Sequence, residues 1–198
     1  MDIKKSKEIG LIFILTLILL IGSTSAVLAD DTANTEATVT FTVDPGTNIL
    51  ELVSAPAIDF GTHPLPDTGT TYNAVQIEND LIVDDDRGLL TGWTVTGQLG
   101  NFTASGGAVT TLEQSRIVFQ NPSLSNSGAS YAPVPSAEVI LTPGGNAETF
   151  MTASSGSGAG EWTLSWTNPN IQLFANGLFV EGLNTATIDW TALATPTD

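Results

Sequence analysis

The chain has no cysteine. Disulfides, thiolate nucleophiles and cysteine-based metal sites are excluded together. It has one histidine, His63, in Phe60-Gly61-Thr62-His63-Pro64. A serine-hydrolase triad would need that imidazole as its base, and no serine sits in a G-x-S-x-G elbow. His63 therefore reads as a loop histidine beside a proline. A zinc site would have to draw its remaining ligands from carboxylates. No catalytic residue, metal site or cofactor is expected. Positive charge is equally scarce, with 5 Lys+Arg against 21 Asp+Glu. Lys4, Lys5 and Lys7 lie in the first ten residues, and no lysine follows. From Asp30 onward, 19 acidic residues face only Arg87 and Arg116, a net −17. Such a surface repels phosphate backbones and anionic lipid headgroups, and favours basic partners or divalent cations. Nucleic acid is excluded as a partner. After residue 30 no apolar 3.6-residue period persists for three turns, and no repeat of 20–50 residues is present, which argues against helical bundles, propellers and solenoids.

The first segment that is present follows the three lysines. Leu11-Ile12-Phe13-Ile14-Leu15-Thr16-Leu17-Ile18-Leu19-Leu20-Ile21 is an apolar run with a small-residue exit. A basic start, a short apolar run and small residues describe a secretory signal peptide. The run is shorter than the roughly 20 apolar residues that span a bilayer. Cleavage is expected after Ala29, with Ala26 as the alternative site and an uncleaved anchor helix as the rival reading. The expected organisation is a signal peptide over 1–29, a flexible segment over 30–36 and one β domain over 37–198. What remains suffices for one domain with a sizeable core. The mature chain is not expected to insert into the membrane.

That domain reads as strands throughout. Ala37-Thr38-Val39-Thr40-Phe41-Thr42-Val43 alternates apolar against threonine, and Asp44-Pro45-Gly46 closes it as a turn. Further strands are expected at 49–53, 58–61, 73–83, 91–99, 115–120, 137–142, 148–152, 161–167, 171–174 and 185–193. About ten short strands with turn signals every 8–15 residues predict an all-β antiparallel sandwich or barrel. The stretches 121–128 and 154–160 are expected to be loops, the second a flexible one. Trp93, Val95 and Leu99 share one face of their strand, with Thr94, Thr96 and Gln98 on the other. Ala186, Ile188, Trp190 and Ala192 share a face of the last strand. Alternation does not say which face is buried, so the tryptophans fit either a core or an exposed aromatic shelf. Asp84-Asp85-Asp86 offers hard oxygen ligands for calcium but lacks EF-hand spacing, and reads as a solvated turn capped by Arg87. Carboxylates are abundant enough for a glycosidase pair, but spacing locates none.

Several of these pieces resemble the WxL-domain family of secreted surface proteins of Gram-positive bacteria. They are Leu90-Thr91-Gly92-Trp93-Thr94-Val95 as a proximal motif and Thr187-Ile188-Asp189-Trp190-Thr191-Ala192-Leu193-Ala194-Thr195-Pro196 as a distal one. Ile58-Asp59-Phe60-Gly61-Thr62, Asp85-Asp86-Arg87-Gly88 and Gly158-Ala159-Gly160-Glu161-Trp162 fit in order between and around them. The resemblance covers about 37–198. It implies an immunoglobulin-like β-sandwich and a non-enzymatic protein held non-covalently on the cell wall, through peptidoglycan or an associated polymer. It also implies a membrane-anchored WxL-interacting protein as a partner. No LPxTG-type signal, lipobox cysteine or C-terminal apolar tail is seen, in keeping with non-covalent retention. The expected contact surface is Trp93, Val95, Trp190 and Ala192, with Leu193 beside them. Two departures from the family pattern stand out. Val95 occupies a position where leucine is frequent, and Ala192 is followed by leucine one place late. Either the distal shelf is smaller or a bulge brings Leu193 back onto it. Two other functions stay open: a structural subunit that reaches the wall only through the partner protein, and, remotely, a secreted glycoside hydrolase.

Overall fold

The computed structural model describes residues 38–39, 49–65, 69–105, 114–126, 131–177 and 180–194. The signal peptide over 1–29, the segment over 30–36 and the strand over 37–43 therefore lie outside the described residues, save Thr38 and Val39, which are exposed. The chain divides into two units, Met1–Phe41 and Thr42–Asp198, and every described element belongs to the second.

That unit is all-β and antiparallel, as the alternation predicts. A first sheet orders β1 (Leu50–Ser54), β5 (Leu81–Asp85), β13 (Gly160–Ser165) and β9 (Ser123–Asn126). A second orders β10 (Val134–Pro135), β12 (Glu148–Ala153), β6 (Trp93–Leu99) and β16 (Ile188–Ala194). The third orders β11 (Glu138–Leu141), β8 (Arg116–Gln120), β14 (Ile171–Ala175) and β3 (Thr70–Asn73). Two small ribbons complete it: β2 (Ala57–Asp59) with β4 (Gln76–Glu78), and β7 (Thr103–Ala104) with β15 (Asn184–Thr185). A 3₁₀ turn, Asn168–Asn170, precedes β14.

The inward residues of all three large sheets meet in one core. Leu81, Val83 and Leu164 come from the first, Trp93, Val95, Leu99, Phe150 and Met151 from the second, and Phe119, Leu141 and Ile171 from the third. At about 25 cal/mol per Å² of apolar surface, side chains of this size contribute roughly 1.5–3 kcal/mol each, which lets the fold stand without a disulfide.

The sequence reading places no strand at β7 or β10 and runs β15 into the last strand, and two longer stretches also depart from it. The alternating run over 73–83 is three strands, not one. Ala74 and Val75 break the first pair, where the Val75 amide donates to Asp59 O at 2.8 Å. Asn79 then turns the chain with φ +64°, a conformation asparagine tolerates because its short amide bonds locally. The second departure is β9, which lies inside the expected loop over 121–128. It carries one apolar residue, Leu124, and is defined by its pairing with β13 rather than by its own pattern.

Candidate functional site: two paired tryptophan motifs

The proximal and distal motifs are neighbours. β6 and β16 pair antiparallel with an unbroken register, so that Trp93 faces Ala194, Thr94 faces Leu193, Val95 faces Ala192, Thr96 faces Thr191 and Gly97 faces Trp190. Each indole is thus matched with a small residue across the ladder. At Gly97 the matching is steric. A Cβ there would stand 2.8 Å from Phe150 Cε2 and 3.2 Å from the Trp190 ring. Trp190 lies over that glycine and against Phe150, with ring centroids 4.5 Å apart. Phe119 and Trp166 extend the cluster through edge-to-face contacts with Phe150 at 5.0 and 6.0 Å, the arrangement that aromatic quadrupoles prefer.

The five residues expected on a contact surface separate by depth. Trp93 and Val95 are completely buried. Trp190 and Ala192 are half-buried and pack against the core. Leu193 is 66% exposed. The continuous register leaves no bulge at Ala192, so Leu193 points outward, away from the tryptophan face. The structure brings Trp93, Val95, Trp190 and Ala192 to one inward face and sets Leu193 on the other side of the sheet.

Trp93 has a second task. Its indole N–H donates to Gly158 O at 3.0 Å, and the Trp162 indole donates to Ala159 O at 3.1 Å. The loop expected to be flexible is therefore held at consecutive carbonyls by two tryptophans. Its own amides add to this, Gly156 donating to Leu90 O and Gly158 to Tyr131 O. Gly158 sits at φ +83°, and a Cβ there would come within 2.4 Å of Ala153 Cβ and 2.7 Å of Trp93 Nε1, so only glycine fits. Beside this loop lies a shallow groove of about 370 Å³, lined by Tyr131, Ala132, Val134 and Ser154 to Ser157.

Arg87 does more than cap a solvated turn. Asp85 is buried, and the guanidinium grips it in a fork, Nε to Oδ1 at 2.7 Å and Nη2 to Oδ2 at 2.9 Å. The same Nη2 donates to Gly92 O at 2.9 Å, fixing the residue before Trp93. The hydrogen bonding of the guanidinium to the Asp85 carboxylate raises the Arg87 pKa above its ordinary value. Asp84 points outward instead, with Glu51 and Glu161 directly opposite on the flanking strands. Partial burial, then the charges of Asp86, Glu161, Glu51 and Asp85, push its carboxyl above the usual carboxylate range.

The threonines that separate the motif residues, Thr94 and Thr191, point outward. The signal for this was in the alternation, which had already set Thr94 and Thr96 apart from Trp93.

Among the described residues no helix is long and apolar enough to cross a membrane. No curated protein and no solved structure matches the chain. The family model described as "WxL domain surface cell wall-binding" matches residues 29–196. With the match running through both tryptophan motifs and nearly the whole length, the chain belongs to the WxL family of surface cell-wall-binding domains.

Proposed function

We propose that this is an exported protein held on the cell wall without a covalent bond, a binding module rather than an enzyme. The observation that carries this reading is the pairing of the two family motifs as adjacent strands of one sheet. That pairing makes β6 and β16 a single rigid platform on which a surface can be presented. Of the expected contact residues, Leu193 is the one exposed on the outward face, while Trp190 and Ala192 pack against the core. Trp93 and Val95 contribute by holding the platform and its neighbouring loop.

Sedimentation with purified, protein-free insoluble wall tests the proposal. Native protein is expected in the pellet and to be released by soluble wall fragments. Protein that stays in the supernatant at every wall concentration refutes direct wall binding.

A second reading has its own support. The row of Glu51, Asp84 and Glu161 across three strands suits a basic protein surface. On this reading the domain is a subunit of a surface complex, bound to a membrane-anchored WxL-interacting protein, and reaches the wall indirectly.

A further inference from the structure

We propose that the outward face of the β10–β12–β6–β16 sheet is the wall-contacting surface, and that its ligand is an uncharged, hydroxyl- and amide-bearing glycan. This rests on the wall-binding function proposed above and adds the face, the residues and the chemistry.

The face follows from the registers. One row crosses all four strands as Val134, Thr152, Thr94 and Leu193. The next crosses three as Thr149, Thr96 and Thr191. Neighbouring side chains lie about 4.8 Å apart between strands and about 6.8 Å apart along β6 and β16, while a register shift on β12 sets Thr149 and Thr152 three residues apart. Five members of the two rows are threonines. None of those five hydroxyls hydrogen-bonds to another described residue, so all are available to a ligand. Val134 and Leu193 stand at the two ends of their row, 69% and 66% exposed.

Charge sets this face apart. A chain of net charge −16 places Asp189 on it, paired with Gln98 at one end, and no other charge in either row. The first sheet shows the opposite character, with Glu51, Asp84 and Glu161 abreast. Beyond Val134 the neutral surface continues into the groove of Tyr131, Ser154 and Ser157, where the tyrosine is 69% exposed. Hydroxyls in two rows, apolar side chains at the margins and an exposed aromatic ring at one end match a sugar chain. Such a chain offers alternating hydroxyl edges and apolar ring faces. A polyanion is not drawn to this face, and a hydrophobic protein interface would present more than two large apolar side chains at its centre. The W-x-x triplets thereby acquire a division of labour. Their tryptophans and third residues build the core, and their middle threonines meet the ligand.

The test compares two charge-matched pairs of substitutions. Thr96→Glu with Thr191→Glu places carboxylates on the proposed face. Ser125→Glu with Thr163→Glu, a cross-strand pair on the first sheet, adds the same charge elsewhere. The probe is wall sacculi stripped of protein and anionic polymer, and then soluble N-acetylated glycan oligomers that carry no carboxylate. Sedimentation gives the affinity, and near-ultraviolet circular dichroism of the tryptophans reports the fold. Affinity is expected to fall about tenfold or more for the first pair and to stay within about twofold for the second, a tenfold change being 1.4 kcal/mol. Thr191→Ala with Leu193→Ser, at exposed positions and without a charge change, is expected to weaken binding in the same direction. Equal loss in both glutamate pairs would assign the effect to net charge and overturn the proposal. So would no loss in either, or native protein that binds sacculi but not the uncharged glycan oligomers. Retention of none of the proteins, native included, would instead refute wall binding itself. If the face substitutions abolish capture by a protein partner while native protein ignores the glycan, the face is a protein interface and the glycan assignment falls.

Discussion

Arg87 shows how much of this site depends on single side chains. Its partner Asp85 is 2% exposed and would be an uncompensated charge without the guanidinium. Breaking a buried pair from one side costs about 3–5 kcal/mol, since the remaining ion is left desolvated. For a domain of this size each kcal/mol lowers Tm by about 2–4 °C, so Arg87→Ala is expected to lose roughly 6–20 °C in calorimetry. Arg87→Lys keeps the charge but cannot fork to both carboxylate oxygens and reach Gly92 O as well, and is expected to fall between the two. Equal melting of Arg87→Ala and native protein would show that the clamp has no energetic role. The sequence made Asp85 and Arg87 visible as neighbours but not as a buried pair. Two acidic residues flank Asp85, and only the β5 alternation, Leu81, Val83 and Asp85 inward, separates it from them.

Among the elements, the strands of the first sheet set up a different balance. Asp84 on β5 stands between Glu51 on β1 and Glu161 on β13. Its raised pKa means that the folded state holds this proton more tightly than the unfolded chain does. Stability therefore rises as pH falls through the window above the ordinary carboxylate range, and declines as pH rises through it. Asp84→Asn is expected to be more stable than native at pH 7. That gain should shrink toward zero below pH 4 in denaturant titrations. A gain that is the same at both pH values would overturn the electrostatic cause.

Elements also show where reading a sequence succeeds. Strands with two or more apolar residues in alternation, such as β6, β12 and β16, were legible. β9 was not, because its pattern holds one apolar residue and its strand character is imposed by β13. The tryptophan face was legible as a face but not as the inner one. What decides it is the partner across the ladder, Gly97 under Trp190 and Ala194 beside Trp93, which no single strand contains.

For the molecule as a whole, the two differently charged sheets make ionic strength a diagnostic. Contact through the neutral threonine face should change little between about 50 and 500 mM NaCl, whereas docking of a basic partner on the acidic row should weaken several-fold as the Debye length shrinks from roughly 14 to 4 Å. Sedimentation with stripped wall across that range separates the two, and a steep fall would favour the acidic row. The order of synthesis adds a last consequence. β6 is the middle of its sheet, yet both of its partners come later in the chain, and Trp93 meets Ala194 only about a hundred residues on. Contacts at such separation close slowly, because the intervening loop entropy is lost before any packing is gained. The aromatic core thus stays unfinished until the final strand has been made. A nascent chain of this kind is expected to stay open at this sheet until β16 has been made, and then to close slowly.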